Sequence, residues 1–162
     1  MTLYLLDTNV LIRAHEDYYP IDRIPQFWTW LHDQATVGII KMPRQIYDEV
    51  AQSSDILGDW LRQSEVKTAL VLAEATDTVR VRHVIEHGYA SDLDDIEVES
   101  LGRDPFLIAA ALCGTDRVVV TREVSRPSKQ RANRKVPDVC AAFGLRVIND
   151  FALYRELEFR IT

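Results

Sequence analysis

The chain has 162 residues, 47% of them apolar and 27% charged, with a formal net charge of −6. That length fits a single domain over residues 1–162, and the balance is that of an ordinary globular protein rather than a disordered, fibrous or membrane one. The acidic excess argues against a protein that coats nucleic acid unaided.

The first element is the most telling. Leu3, Tyr4, Leu5 and Leu6 form a short apolar run, as in a strand buried on both faces, and lead directly into Asp7, Thr8 and Asn9. Asp7 then sits at the carboxyl end of a strand, where open α/β sheets place their ligands and where a carboxylate can hold a cation or simply cap a helix. Helices are expected from Asn9 to Ala14 and from Ile24 to Leu31, and a short β-branched strand from Val37 to Ile40. Pro43 opens a helix that keeps Ile46, Tyr47 and Val50 on one side. Two more amphipathic helices follow, Ile56 to Gln63 and Lys67 to about His87, with Gly88 as the stop. Residues 89 to 103 are acidic and read as irregular.

Pro105 then begins a helix, capped by Asp104, whose run from Phe106 to Leu112 is apolar nearly all round and therefore buried. Arg117 to Thr121 is a valine-rich strand, Ser125 to Lys135 an exposed loop, and Pro137 opens another helix. Leu145 to Ile148 is the last strand and Asn149 to Leu157 the last helix. Strands alternating with helices predict an α/β fold, a central parallel sheet flanked by helices on both faces. The longest apolar stretch, Phe106 to Cys113, is too short to cross a bilayer, and the first residues lack the basic region of a secretion signal. A cytoplasmic location without membrane attachment is expected. Cys113 and Cys140, both in apolar settings, read as reduced core thiols.

Charge is unevenly spread. Residues 86 to 104 carry Glu86, Asp92, Asp94, Asp95, Glu97, Glu99 and Asp104 against Arg103, whereas residues 117 to 135 carry Arg117, Arg122, Arg126, Lys129, Arg131, Arg134 and Lys135 against Glu123. An acidic centre with a basic rim suits a metal site that receives a phosphodiester; two solvated loops of opposite sign are the simpler alternative. Four carboxylates occupy comparable places: Asp7 after the first strand, Glu49 on the helix opened by Pro43, Asp104 at the start of the buried helix, and Glu123 just past the valine-rich strand. Singly, Glu49 reads as an exposed helix residue, Asp104 as a cap and Glu123 as the partner of a nearby base. A shared divalent metal requires all of them to converge.

These segments resemble the PIN-domain ribonucleases, a family that includes toxins of bacterial toxin–antitoxin pairs. The resemblance rests on YLLDTNVLI at Tyr4 to Ile12, PRQIYDEV at Pro43 to Val50, RDPFLIAAA at Arg103 to Ala111 and VVVTRE at Val118 to Glu123. They span most of the chain, and the chain departs from the pattern at Glu123, where Asp is commoner. A basic loop followed by VPDVC at Val136 to Cys140 is similar to a subgroup with an elongated C-terminal part, in which Asp138 joins the acidic cluster or caps its helix. The resemblance implies a single-domain PIN-like fold and a Mg²⁺- or Mn²⁺-dependent endoribonuclease, with Asp7, Glu49, Asp104 and Glu123 as metal ligands and catalytic groups. Such a cation relieves repulsion among carboxylates, keeps several waters and activates one of them to attack a phosphodiester. Thr8, Asn9 and Thr121, with Asp138, would orient ligands or waters by hydrogen bonds. Arg122, Arg126, Lys129, Arg131, Arg134 and Lys135 would bind RNA through its phosphates. The resemblance also implies a protein antitoxin as partner or a homodimer, and Trp28, Trp30 and Trp60 offer apolar surface for either, or core.

Other readings use other residues. His83, Glu86 and His87 spell H-x-x-E-H, which on a helix suits a zinc hydrolase, although Gly88 ends the turn and Arg80 and Arg82 oppose a cation. An aspartyl phosphatase carries a second Asp where Asn9 stands. Asp92, Asp94 and Asp95 are not a calcium loop, since Glu97 replaces its glycine. A PIN fold without activity, serving as a binding module, is the remaining alternative.

Overall fold

In the computed structural model, which describes residues 1–162, four strands form a wholly parallel sheet in the order β2-β1-β3-β4. They are β1 (Leu3–Leu6), β2 (Ile40–Lys41), β3 (Arg117–Val120) and β4 (Arg146–Ile148). Helices fill the connections: α1 (Thr8–Arg13), α2 (Pro25–Thr36), α3 (Arg44–Ala51), α4 (Ile56–Leu61), α5 (Ser64–Leu70), α6 (Thr78–Val84), α7 (Asp95–Ser100), α8 (Asp104–Leu112), α9 (Val136–Ala142) and α10 (Asp150–Glu156). Single wide π-turns extend α1 over Ala14–Tyr18 and α6 over Ile85–Tyr89.

The central strands explain why the sheet is covered on both faces. Successive strand residues point to opposite sides, yet Tyr4, Leu5 and Leu6 of β1 and Val118, Val119 and Val120 of β3 are all buried. One continuous core of 36 residues joins these strands to α2, α3 and α8. The expected α/β architecture is therefore the one present. From β1 the chain departs to β2 on one side, while β3 and β4 lie on the other. The carboxyl ends of β1 and β3 thus flank the topological switch point, the place where open α/β sheets form their ligand crevice.

Several local expectations give way. The predicted strand at Val37 shrinks to the two residues of β2, because Gly38 turns with φ +87° and the pairing begins only at Ile40. The long helix expected from Lys67 to His87 breaks at Leu70. Met42 donates its N–H to the Leu70 carbonyl at 2.8 Å and accepts from the Leu72 N–H at 2.9 Å, which draws residues 70–72 out into an extended segment beside the sheet. Helix α6 restarts at Thr78, capped by Asp77 through the Arg80 N–H. Gly88 is not a stop but lies inside the second π-turn, where a Cβ would come within 2.7 Å of Val139 Cγ1 and 2.8 Å of Phe143 Cε2. The irregular acidic stretch contains α7, started by a reciprocal box in which Asp94 accepts from the Glu97 N–H and Glu97 from the Asp94 N–H.

The tryptophans belong to the interior rather than to a free face. Trp28 is buried and donates to the Tyr19 carbonyl at 2.6 Å, while Trp30 and Trp60 pack partly buried against the core beside Phe27, Trp28 and Phe159. Cys140 is buried as expected, but Cys113 is exposed at the end of α8; both are free thiols. No helix is long and apolar enough to cross a membrane.

Candidate metal centre

Register builds the crevice. Leu6 pairs with Val120, so the residues that follow them, Asp7 and Thr121, emerge side by side. Asp7 caps α1: its Oδ1 accepts the Thr8 N–H at 2.8 Å, while its Oδ2 accepts the Thr121 hydroxyl at 2.8 Å and the Asn9 amide at 3.3 Å. Asn9 also donates to Thr121 Oγ1 at 3.2 Å, and its Oδ1 accepts the Arg122 N–H at 3.0 Å. Thr121 Oγ1 in turn accepts the Glu123 N–H at 3.1 Å. A continuous network of side chains and backbone therefore fixes Asp7 and aims the backbone of Glu123. Asn9 and Thr121 take the orienting roles expected of them, whereas Thr8 contributes its backbone N–H.

Asp104 arrives from a third segment. Gly102, with φ +58°, turns the chain into α8, and Arg103 ties the junction to α3 by donating to the Gln45 carbonyl at 2.9 Å. Asp104 is not the cap that its sequence position suggested. It is the first helical residue, Arg103 stands at the cap position without a capping side chain, and Pro105 follows. Its carboxylate is left to face the crevice.

Carboxylate oxygens of Asp7, Asp104 and Glu123 all lie within 4.8 Å of one another. Burial raises the pKa of each carboxyl group. At Asp104 burial acts first, then the charges of Asp7, Glu123 and Glu49, and together they push it up to about 7, with Lys135 opposing. Glu123 is raised by burial and by Asp7, while the Val136 N–H and Lys135, whose Nζ is 3.8 Å from Oε1, hold it down. Cys140 lies buried beside all three, and desolvation with their charges pushes its thiol up to about 12.

Three hard oxygen donors this close fit a divalent cation of the Mg²⁺ class, whose opposite ligands stand about 4 Å apart when each bond is near 2.1 Å. The same three groups can hold a metal ion. Two further observations agree with that chemistry: no hydrogen-bond donor reaches the Asp104 carboxylate, and the buried Tyr89 hydroxyl has no partner. Nothing in the sequence marked Tyr89, because its role depends on how α6 unwinds.

The remaining candidates are distributed otherwise. Glu49, exposed on α3, stands outside the group of three, and only its charge reaches Asp104. Asp138 neither joins the cluster nor caps α9; it accepts from the Ser125 hydroxyl and from the Arg126 N–H at 2.8 Å, closing the base of the basic loop. Arg122 turns away to Asp150, with Nη1 3.0 and 3.1 Å from the two carboxylate oxygens. Arg131 is held by Asp92 at 2.8 Å and Glu97 at 3.0 Å, and Arg134 by the Gly88 and Asp138 carbonyls. The acidic and basic stretches thus neutralise one another in part, and of the loop's cations only the side chains of Arg126 and Lys129 are held neither by a carboxylate nor by a backbone carbonyl. The His83 and His87 rings come together, 4.5 Å between centroids, but no third ligand joins them.

The fold defines an α/β protein with three carboxylates, able to hold a metal ion, at the switch point of a parallel sheet. The chain belongs to the family described as Domain of unknown function (DUF4411), which matches residues 4–161. No curated protein matches it.

Proposed function

We propose that this chain is a metal-dependent endoribonuclease of the PIN-domain type. The observation that carries the reading is the convergence of Asp7, Asp104 and Glu123, separated by long stretches of sequence, on one point at the carboxyl edge of β1 and β3. A helix cap or a surface ion pair explains any one of them and none explains the meeting of three. Mg²⁺ or Mn²⁺ is the cation we assign, since the donors are carboxylates rather than histidines or thiolates.

Asp7, Asp104 and Glu123 would hold the ion. When bound, it supplies an acidified water as nucleophile and positive charge for the phosphoryl oxygens. Thr121 and Asn9 keep both oxygens of Asp7 in fixed directions, so the carboxylate need not reorganise as charge develops. Asp104, with no hydrogen bond of its own, is the member free to adjust. Glu49, set back on α3, acts on the others through its charge. Arg126 and Lys129 are the loop cations available to meet substrate phosphates.

The resemblance to PIN-domain toxins extends the proposal to a toxin restrained by a protein antitoxin. A neighbouring gene for a small regulatory protein and growth arrest on expression would support that part. The enzymatic part is tested directly: purified protein should cut single-stranded RNA with Mg²⁺ or Mn²⁺ and stop in EDTA. Undiminished cleavage in EDTA overturns the metal mechanism, and no cleavage with either ion leaves the fold as a binding module.

A further inference from the structure

The crevice contains one polar atom that the proposed chemistry does not use. Tyr89 closes the π-turn after α6, is 8% exposed, and buries a hydroxyl with no hydrogen-bond partner. The carboxylates of Asp104 and Glu123 are the charges that act on it most strongly, followed by Cys140. Burial first, and then those carboxylates, hold the phenol far above its ordinary range, so it remains an O–H donor at any working pH. Tyr154 also buries an unpartnered hydroxyl, but among the rings of Tyr19, Phe27 and Phe159, away from the crevice.

Buried donors are rarely left unmade, and where one persists an ordered water or ion is the usual explanation. Asp104, the charge that acts on Tyr89 most strongly, is a half-buried acceptor that no protein donor reaches. No hydrogen bond joins the two, and a water, which accepts from a hydroxyl and donates to a carboxylate, is a group that would satisfy both. The fold holds Tyr89 firmly in this position, because Gly88 packs without a side chain against Val139 and Phe143 of the α9 region, and Arg134 ties down the Gly88 carbonyl.

We propose that Tyr89 is a positioning residue of the metal centre, its hydroxyl donating to a water that ligates the divalent cation and accepts its place beside Asp104. This rests on the metal-centre part of the function proposed above. By occupying one lone pair of that water, Tyr89 leaves the other for the cation and turns a hydrogen of the water toward Asp104. Outer hydrogen bonds of this kind change metal affinity about 10- to 100-fold when removed.

The test compares the parent and Tyr89→Phe for Mn²⁺ binding by calorimetry, with urea unfolding of the metal-free proteins alongside. The expected result is Mn²⁺ affinity about 10-fold weaker in the variant, with metal-free stability equal to or above the parent, because only an unbonded oxygen is lost. A purely structural tyrosine would give the opposite pattern, lower stability and unchanged affinity, and would overturn the proposal. If the parent itself binds no Mn²⁺, the metal-centre reading falls and this inference with it; if the parent binds and the variant binds equally, only the role of Tyr89 falls. Should the variant not fold, the parent labelled with 3-fluorotyrosine decides: one resonance of its six tyrosines should move on addition of Mg²⁺, and none moving overturns the proposal.

Discussion

Two buried carboxylate sites stand at the carboxyl edge of the same sheet and are served differently. Past β4, Asp150 is fully buried, yet Arg122 reaches both of its oxygens and the Phe151 N–H reaches one at 2.9 Å. The guanidinium is itself bracketed by the rings of Tyr18 and Phe151, 5.7 and 5.5 Å from their centroids. Past β1 and β3, three carboxylates crowd together with one lysine at the margin and no donor at all for Asp104. A fold able to neutralise Asp150 from its own sequence leaves the crevice unneutralised. The difference separates a carboxylate pair that is part of the scaffold from three carboxylates that could take a positive partner from outside the chain.

The sharpest way to break this contrast is to remove charge from the crevice. Asp7→Asn and Asp104→Asn should each lower RNA cleavage by about 10²-fold or more, measured as single-turnover rates, while Glu49→Gln should fall less because it lies outside the group of three. Without metal, Asp104→Asn should unfold at higher urea, by about 1–2 kcal/mol at pH 8, since a repelling buried charge disappears. Removing charge from the other site should do the reverse. Arg122→Met strands a buried carboxylate and should cost about 2–3 kcal/mol in urea denaturation, the low end for broken buried pairs because Arg122 is partly exposed; adding Asp150→Asn should restore part of the loss.

A smaller effect follows from pH. Asp104 titrates near 7 when folded and near 4 when unfolded. Between those values only the folded state keeps the proton, so this group's contribution to stability falls as pH rises from about 4 to 7 and stays at its low level above. The parent minus Asp104→Asn difference in unfolding free energy should show that slope, and saturating Mg²⁺ should flatten it. A pH-independent difference would mean that the crevice is already neutralised. Smallest of all should be Arg131→Gln. Its partner Asp92 is exposed and Glu97 only partly buried, so the unfolding midpoint should shift little and the shift should vanish in high salt. RNA affinity should respond more to neutralising Arg126 and Lys129, read by fluorescence anisotropy across a salt titration.

What could be read in the sequence was whatever local chemistry dictates. The apolar runs at Leu3 to Leu6 and Val118 to Val120 announce buried parallel strands, and their ends place Asp7 and Glu123 without knowledge of the rest. Asp104 was legible through its helix start, though the cap falls on Arg103 instead, because after the turn at Gly102 the helix begins one residue earlier than the Asp-Pro pair implies. Three things were decided by tertiary contacts instead. Met42 captures Leu70 and Leu72, which breaks a helix that periodicity alone would continue. Arg131 finds Asp92 and Glu97, so a loop that reads as a phosphate-binding rim spends its charge internally. Tyr89 acquires its meaning only from the π-turn. The box at Asp94 and Glu97 was visible in the spacing and identifies α7 for anyone who reads it.

The segment that Met42 captures also determines how copies of this protein can meet. Outer strands of open sheets offer unpaired N–H and C=O groups on which another chain can build. Beside β2 that opportunity is closed, because residues 70–72 already occupy the bonds of Met42. Beside β4 the strand is only three residues long and carries Arg146, held by Glu156. Growth of the sheet across a molecular boundary is therefore disfavoured at either rim.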